Sequence, residues 1–534
     1  MNSLFLILIG IIILVCIWLN NISSRIGIPT LLAFIVLGIL VGNIGVIPIH
    51  LEDKLFAKNV CSIALAFIMF YGGFGTRWKS ARPVVREASL LATLGVALTA
   101  GLTGLFCHYV LQWDWAESFL IGSVVSSTDA ASVFSILRSK KLGLANNTAP
   151  MLEMESGSND PMSYMLTALM LSILHGNASG AAVSWMLFSQ IAFGAAIGFG
   201  IAKLALWALD NIQIKGDGYD SLFFLAVALI SYALPSLIGG NGYLSVYLVG
   251  IMLGNSRIKG KKALVNFFDG VTGLMQVLIF FMLGLLARPA LLHKAILPAL
   301  GISMFMLLVS RPLSVAGILV PFRKYPFKQQ VLVSFAGLRG AASIVFAIMA
   351  TTENVVISQD VFSIVFCIVL ISIALQGSLL PAAARGLDMV DEGNDVFKTF
   401  NDYSEDTEIQ FSSIDITQGD AWDGKLVKDL NLPSSIILAL IYRGSERIIP
   451  HGGTKILAGD KIALVTQSMA DSNSQLVEKI VKKNGKRAGH AIKDVEGDGL
   501  ILLIKRGDEE IFPTADTVLL EGDVLVLLRR KKEK

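Results

Sequence analysis

The chain has 534 residues, of which 54% are hydrophobic and only 16% are charged. Its mean hydropathy is +0.66, and the apolar residues lie in blocks long enough to span a bilayer, which excludes an ordinary soluble protein. The net charge of +3 comes from segregated charges, and we expect no nucleic-acid partner. All four cysteines lie in apolar blocks without metal or disulfide spacing, so buried free thiols are expected.

Apolar blocks recur until about residue 385 and predict thirteen membrane-spanning helices in a lipid bilayer. The spans are expected near residues 3–20, 28–44, 57–74, 88–112, 117–138, 148–174, 183–209, 219–236, 241–255, 264–287, 292–320, 328–350 and 358–384. The first block lacks a basic amino-terminal region and a small-residue cleavage site. It is therefore predicted to be a retained helix rather than a signal peptide.

Basic residues in the connecting loops indicate the orientation. Alternate loops hold sixteen Lys or Arg residues, and the opposite set holds four. Because cytoplasmic loops are enriched in Lys and Arg, the N-terminus is predicted to be periplasmic and the C-terminus cytoplasmic. An odd number of spans agrees with this arrangement, since the two ends must then lie on opposite sides.

The sixth span is unusually polar for a membrane helix. Before Pro161 it carries Glu153, Glu155, Ser156, Asn159 and Asp160. An ionised side chain costs roughly 3 kcal/mol or more inside a bilayer, so such residues indicate a functional site. Because Pro161 has no N–H, the carbonyl of Gly157 loses its helical partner and is available to an ion or to water.

Helical spacing divides these polar residues between two faces. Ser156 and Asp160 are four residues apart and share one face. Glu155 and Asn159 share another, about 100° away. Carboxylate, hydroxyl and carbonyl oxygens are hard ligands that suit an alkali cation, although a water-filled structural kink remains the alternative.

The fifth and twelfth spans also carry polar groups near their middles. Thr128 and Asp129 lie in a run rich in Ser and small residues, and Arg339 lies in a Gly-Leu-Arg-Gly run. Asp129, Asp160 and Arg339 each fall about thirteen residues into a span, or ~20 Å deep, so they are expected to meet near the midplane. Interrupted helices at corresponding positions of two inverted repeats are typical of a transporter site. Close packing of small residues would not explain two acids and an arginine at one depth.

Three motifs, at residues 128–129, 155–161 and 337–340, together resemble those of the NhaP-type cation/proton antiporters in the first monovalent cation:proton antiporter family. The resemblance covers the whole membrane part. It implies an α-helical polytopic membrane protein with inverted repeats and discontinuous crossing helices. It also implies a homodimer in which each protomer has a dimerisation part and a moving core of six helices.

The resemblance assigns roles to the polar residues. It implies that Asp160 takes either the cation or the proton. Ser156, the backbone carbonyl of Thr128, and Asp129, partly through water, would complete a site for K⁺ or Na⁺.

The resemblance also implies a buried ion pair between Glu155 and Arg339, with Asn159 beside it. Two other intramembrane charges, Glu153 and Arg311, are interpreted either as part of an ion funnel or as snorkelling side chains.

Competition of a proton and a cation for one carboxylate predicts coupled exchange by alternating access. With one exchanging carboxylate the simplest stoichiometry is one proton per cation, hence electroneutral, and the resemblance points the same way. We expect a potassium/proton antiporter of the bacterial inner membrane that exports cytoplasmic cation and regulates cell volume and pH. A sodium/proton antiporter of the same fold is the alternative. A regulated cation channel is disfavoured because no filter repeat is present, and an enzyme because no nucleophile–base or metal motif is present.

The tail after residue 385 is predicted to be cytoplasmic and α/β. Residues 386–408 form an acidic linker. Residues 409–470 resemble the TrkA C-terminal domain, and residues 471–534 look like a second copy, because the segments 436–465 and 500–528 align at an offset of 63 residues. No cofactor is expected, since no dinucleotide-binding motif follows a strand. A small regulatory ligand between the modules and a purely structural, dimer-forming role are both open.

Overall fold

The computed structural model describes residues 7, 10–18, 30–43, 54–391 and 409–530 with short gaps. The gaps are 141, 177–178, 213–217, 257, 259–260 and 354 in the membrane part, and 418–419, 421, 431, 433–435, 444–445, 468–473, 482–488, 491, 493–499, 507–508 and 512–516 in the tail. The chain divides into two compact units, Met1–Tyr403 and Ser404–Lys534. Residues 392–408 of the predicted acidic linker lie outside the described residues.

Each of the thirteen predicted spans coincides with a helix or a pair of helices. In chain order these are α1 (10–18), α2 (Thr30–Asn43), α3 (Lys54–Gly75), α4 (Val85–Tyr109), α5a (Trp115–Val124) with α5b (Ala130–Ser139), α6 (Thr148–Leu174), α7 (Gly180–Asn211), α8 (Tyr219–Leu237), α9 (Gly242–Gly254), α10 (Lys261–Leu286), α11 (Pro289–Phe322), α12a (Phe327–Phe335) with α12b (Ala341–Thr352), and α13 (Val361–Gly386). Seven helices in the described part are long and apolar enough to cross a membrane on their own. The four cysteines are free and buried, as predicted.

The fifth and twelfth spans are broken in the middle, and the two breaks touch. In the first break the Ser126 hydroxyl donates to the carbonyl of Ser123 at 2.7 Å, a local bond that competes with helix continuation. The second break contains two glycines at 337 and 340. Across the crossing, the backbone N–H of Asp129 donates to the carbonyl of Leu338 at 2.8 Å. The prediction of discontinuous crossing helices is confirmed.

Packing separates most of the helices into two bundles. The scaffold bundle contains α2, α3 and α7–α10, and the transport bundle contains α4–α6 and α11–α13. Within the scaffold, Gly38 on α2 and Gly284 on α10 lie backbone to backbone, with no room for a Cβ atom on either. Such close approach of small residues is how membrane helices gain van der Waals contact where lipid offers no hydrophobic drive.

The helices of the transport bundle are irregular. π-helical turns occur at Leu91–Gly95 in α4, Met306–Ser310 in α11 and Ser372–Gly377 in α13. The other three members are the two broken helices and α6, which contains Pro161. Among the described residues, no scaffold helix contains a π-helical turn. The irregular turns are therefore concentrated in the bundle that carries the conspicuous polar residues.

The C-terminal end of the membrane unit turns back onto the loop between α5b and α6. The N–H of Ala145 donates to the carbonyl of Met389, and the N–H of Asp391 to that of Gly143, each at 3.0 Å. The Met389 side chain is 2% exposed and packs with buried Leu144 of that loop. The first residues after α13 are thus docked beside the helix that carries Asp160.

The described residues of the C-terminal unit form two four-stranded antiparallel sheets. The strands are β1 (Ile409–Asp415), β2 (Ile436–Arg443), β3 (Glu446–Ile448), β4 (Asp460–Gln467), β5 (Ser474–Ile480), β6 (Leu500–Arg506), β7 (Glu509–Ile511) and β8 (Val524–Arg530). The sheet orders are β1-β4-β2-β3 and β5-β8-β6-β7, so the two sheets share one topology. A 3₁₀ turn at Val427–Asp429 lies in the connection between β1 and β2.

The two sheets also share an internal ion pair between an arginine and an aspartate. In the first, the guanidinium of Arg443 donates two hydrogen bonds of 2.8 Å to the carboxylate of Asp460, and in the second Arg506 does the same to Asp523. These hydrogen bonds lower the pKa of both carboxyl groups below the usual value for aspartate. Both pairs join the end of one strand to the turn that opens another.

Candidate cation site at the helix crossing

Asp129 occupies the N-cap position of α5b. Its carboxylate accepts a hydrogen bond from the backbone N–H of Ser132 at 3.3 Å and another from the Ser132 hydroxyl. This is the usual way in which an aspartate satisfies the exposed N–H groups and the positive end of a helix. Gly340 of α12 lies so close that a Cβ atom there would collide with this carboxylate. The crossing therefore requires both the cap and the glycine.

A short hydrogen-bond network joins α6 to the break in α5. The Ser156 hydroxyl donates to the carbonyl of Thr128 at 2.6 Å and accepts from the N–H of Ala130 at 2.7 Å. The Asn159 amide donates to the Thr128 hydroxyl at 2.6 Å. Ser156 and Asn159 are buried, so these bonds hold the non-helical backbone where water is scarce.

Asp160 lies one residue beyond this network and differs from Asp129. Its Oδ1 is buried and has no hydrogen-bond partner among the described residues. Its carboxyl group interacts with the Ser127 hydroxyl and with the charge of Asp129. Since Asp129 is engaged by the end of α5b, Asp160 is the carboxylate with an acceptor atom to spare. Asp160, Ser156, Thr128 and Asp129 are thus brought together, as the sequence predicts.

The prediction that Glu155 pairs with Arg339 is wrong. Glu155 pairs instead with Arg311 of α11, whose Nη2 lies 2.5 Å from Oε1. The Arg311 and Glu155 side chains are 3% and 1% exposed, so the alternative of a snorkelling Arg311 is also wrong. A buried pair of this kind exists because either charge alone would be uncompensated at this depth.

Arg339 has a different position at the crossing. Its Nη1 donates to the carbonyl of Ser127 at 2.8 Å, and its backbone N–H donates to the Ser372 hydroxyl at 3.0 Å. Ser372 in turn donates to the amide oxygen of Gln376 at 2.6 Å. The guanidinium therefore provides a hydrogen-bond donor for a carbonyl that the break in α5 leaves without a helical partner.

The π-helical turn in α11 explains why Arg311 points inward. The turn spans Met306–Ser310 and ends immediately before Arg311-Pro312. An extra residue in a helical turn rotates everything after it by about 100°, which spacing in the sequence does not reveal. The turn is anchored because the Ser310 hydroxyl donates to the carbonyl of Thr99 at 3.1 Å.

A cavity of about 420 Å³ lies beside α5b, in the half of the protein in which α5b ends. It lies between α5b of the transport bundle and α2 and α10 of the scaffold, and Ser132, Ser135, Thr30 and Gln276 supply polar lining atoms. Ser132 is also hydrogen-bonded to Asp129, so one residue of the cavity wall contacts the candidate site. Glu153 is 7% exposed and does not line this cavity, so its place in a funnel remains a prediction.

Several polar residues at the site carry no clear signal in the sequence. Ser127 and Ser132 belong to a serine-rich run, and the three-residue spacing of Asp129 and Ser132 was the available sign of a cap. Asn241 comes from the scaffold, where its amide donates to the carbonyl of Pro161 at 2.9 Å. It lies in a connection between two spans, 80 residues from its partner.

Two broken helices that cross beside Asp129 and Asp160, with a cavity next to one of them, are typical of an ion-coupled secondary transporter. The sequence agrees with this class. Residues 10–386 match the family described as sodium/hydrogen exchanger, transmembrane, and residues 411–469 and 476–531 match the TrkA-C domain. The chain belongs to this family of membrane cation/proton antiporters.

Relatives support the assignment, and a solved structure has a similar fold. The chain is 35% identical over 471 residues to the K(+)/H(+) antiporter NhaP2 of Shewanella sp. (strain ANA-3), covering 87% of this chain and 81% of that protein. It is 33% identical over 476 residues to the K(+)/H(+) antiporter NhaP of Alkalimonas amylolytica, covering 88% and 82%. The fold resembles that of the sodium proton antiporter MjNhaP1 of Methanocaldococcus jannaschii, with a TM-score of 0.62 at 22% identity over 70% of this chain and 99% of that one.

Proposed function

We propose that the chain exchanges cytoplasmic K⁺ for protons in a one-to-one, electroneutral cycle. The observation that carries this proposal is the charge at the crossing. Asp129, Asp160, Glu155, Arg311 and Arg339 sum to −1 when all five are ionised. One proton or one monovalent cation brings the group to zero, and a neutral core is far less costly to move through a low-dielectric membrane than a charged one.

Asp160 is the proposed exchanging carboxylate. Its unpaired, buried oxygen is free to take a proton or a cation, whereas Asp129 already caps a helix. The Thr128 carbonyl and the Ser156 hydroxyl are within one hydrogen bond of each other and would supply two further oxygens. Because proton and cation use the same carboxylate, binding of one excludes the other.

Potassium is proposed as the substrate because the Shewanella and Alkalimonas relatives are named K(+)/H(+) antiporters. Sodium is the alternative, since the oxygens at the crossing suit both cations. The protein is proposed to act as a homodimer in the bacterial inner membrane, with its N-terminus periplasmic and its C-terminus cytoplasmic. The distribution of loop charges supports this orientation.

The test of the exchange mechanism is Asp160→Asn in everted vesicles. Proton flux driven by K⁺, Na⁺, Li⁺ and Rb⁺ is measured at several pH values. We expect no cation-dependent flux from Asp160→Asn and normal flux from Asp220→Asn, which changes an acid at the start of α8. Full coupled exchange by Asp160→Asn would refute the role of this carboxylate, and a preference for Na⁺ would favour the alternative substrate.

We further propose that the tail controls the transporter, with boundaries at 386–408 for the linker, 409–470 for the first module and 471–534 for the second. Docking of Met389 against the loop before α6 supports a direct route from the tail to the site. A small ligand bound by the modules would act through this route.

Two truncations separate control from stability. A chain ending at residue 391 retains the docked segment, and one ending at residue 385 loses it. If the tail is a brake, the chain that ends at residue 391 should show higher flux with unchanged thermal stability. The chain that ends at residue 385 should also show higher flux but should be less stable. Lower flux from the chain that ends at residue 391, if this chain remains dimeric and thermally unchanged, would contradict a brake.

A further inference from the structure

The two bundles contact each other at the level of the site, where Tyr247 of α9 packs on Gly157 of α6, and also on the side opposite the cavity. The cavity opens where α5b ends and α2 begins, whereas α3 begins and α12b ends on the other side of the molecule. There, Lys58 of α3 lies 3.0 Å from Glu353, which follows α12b, with side chains 25% and 35% exposed. This ion pair joins the scaffold to the transport bundle.

An aromatic layer lies on the same half of the molecule. Tyr164 of α6 and Phe346 of α12b belong to the transport bundle, and Tyr243 belongs to α9 of the scaffold. Their ring centroids are 5.1 Å apart for Tyr164–Tyr243, 5.9 Å for Tyr164–Phe346 and 6.0 Å for Tyr243–Phe346. These are ordinary distances for attractive ring contacts. Tyr243 and Phe346 are 2% and 0% exposed, so the layer excludes water.

The innermost contact lies one residue from Asp160. The amide of Asn241 donates to the carbonyl of Pro161, while its own Oδ1 caps α9 by accepting from the N–H of Leu244 at 3.1 Å. Its backbone N–H donates to the carbonyl of Gln190 on α7 at 3.0 Å. Asn241 is therefore fixed by the scaffold and holds the helix that carries the exchanging carboxylate.

We infer that these three layers form a gate, which is closed in this structure and opens once in each transport cycle. Lys58 and Glu353 form the outer layer, the ring contacts form the middle, and Asn241 forms the inner latch. The inference rests on the proposed exchange function. All three layers connect one bundle to the other, so movement of the transport bundle against the scaffold must break them together. In the proposed orientation, the gate faces the periplasm and the open cavity faces the cytoplasm.

The experiment uses the full-length protein carrying Lys58→Cys and Glu353→Cys. Oxidative cross-linking in proteoliposomes should reduce K⁺/H⁺ exchange at least tenfold, and reduction should restore it. Glu117→Cys with Ser358→Cys is the matched control, because the Glu117 carboxylate and the Ser358 N–H are 2.6 Å apart and both lie within the transport bundle. Exchange at full rate through the cross-linked gate pair would overturn the proposal, as would failure of the pair to cross-link.

Labelling reports the gate independently of transport. Ser135→Cys places a thiol in the cavity, and the chain without this change measures the background from Cys16 in the same cavity. Cross-linking the gate should preserve or increase labelling of the new thiol by a membrane-impermeant maleimide from the cytoplasmic side. Labelling that falls upon cross-linking would contradict the assignment of sides. A native protein without exchange would contradict the proposed function but leave this readout intact.

The inner latch has its own test and control. Asn241→Ala should lower the rate of Ser135→Cys labelling about fivefold, because loss of one buried hydrogen bond favours the state in which the cavity is closed. Asn255→Ala removes an amide at the opposite end of α9 that donates to the carbonyls of Thr76 and Ile251, which belong to the scaffold side. That control should label at the normal rate. Equal labelling of both variants would remove Asn241 from the gate.

Discussion

The ion pair between Glu155 and Arg311 makes a quantitative prediction. Both side chains are at most 3% exposed and their charged atoms are 2.5 Å apart. Removing one partner leaves the other charge uncompensated, which typically costs about 3–5 kcal/mol. Glu155→Gln and Arg311→Gln should therefore each lower the free energy of unfolding by about that amount, while the double variant should lose less than the sum.

The assay is reversible unfolding in mixed micelles titrated with SDS, followed by the fluorescence of the seven tryptophans. We expect a coupling free energy of at least ~2 kcal/mol between positions 155 and 311. The same cycle with Arg339→Gln serves as the comparison, because Arg339 donates to a carbonyl and interacts with the Glu155 charge only at longer range. That coupling should be smaller than the coupling between positions 155 and 311.

Two outcomes would refute the reasoning. Additive losses at 155 and 311 would show that the pair does not exist in the folded protein. A larger coupling at 339 than at 311 would restore the partner that the family resemblance implies.

Three further predictions follow from contacts at the crossing and in the tail. Gly340→Ala should abolish exchange or folding, because a Cβ atom would displace the carboxylate of Asp129; normal flux from a well-expressed variant would contradict this. Asn159→Ala should raise the cation concentration for half-maximal exchange about fivefold, because the Thr128 hydroxyl loses its donor; an unchanged concentration dependence would exclude that role. Asp460→Asn should speed amide hydrogen exchange in β4 at least tenfold at pH 7. The pKa of Asp460 is lowered in the folded state, so its contribution to stability is full above the unfolded pKa of about 4 and disappears as the pH falls through the folded pKa. The difference between Asp460→Asn and wild type should therefore shrink toward pH 3, and a difference that grows would refute this role of Asp460.

The number and order of membrane helices could be predicted because a bilayer fixes the length of each apolar block. The breaks in α5 and α12 were also accessible, since serine, threonine and glycine runs around Asp129 and Arg339 make weak helices. The depth of a residue in the membrane follows from counting residues along its span, and this count placed Asp129, Asp160 and Arg339 together near the midplane.

The direction in which a side chain points from its helix was harder to predict from the sequence. Arg311 was predicted to belong to an ion funnel or to snorkel, but the π-helical turn before it directs its side chain toward Glu155, and no residue type marks such a turn. Asn241 was missed for a different reason. Its partner Pro161 is 80 residues away, and nothing in a connecting segment states which distant helix it meets.

The crossing also has a consequence for how the chain is made. The break in α5 is completed by the carbonyl of Leu338 and the side chain of Arg339, about 210 residues later in the sequence. At ~5–20 residues per second, the ribosome needs about 10–40 s to supply them. Neither half of α5 spans a bilayer alone, since ten residues reach only ~15 Å. The first half of the protein must therefore wait in the membrane with an unfinished helix. A stalled or truncated chain that ends before residue 338 would present that break to quality-control proteases.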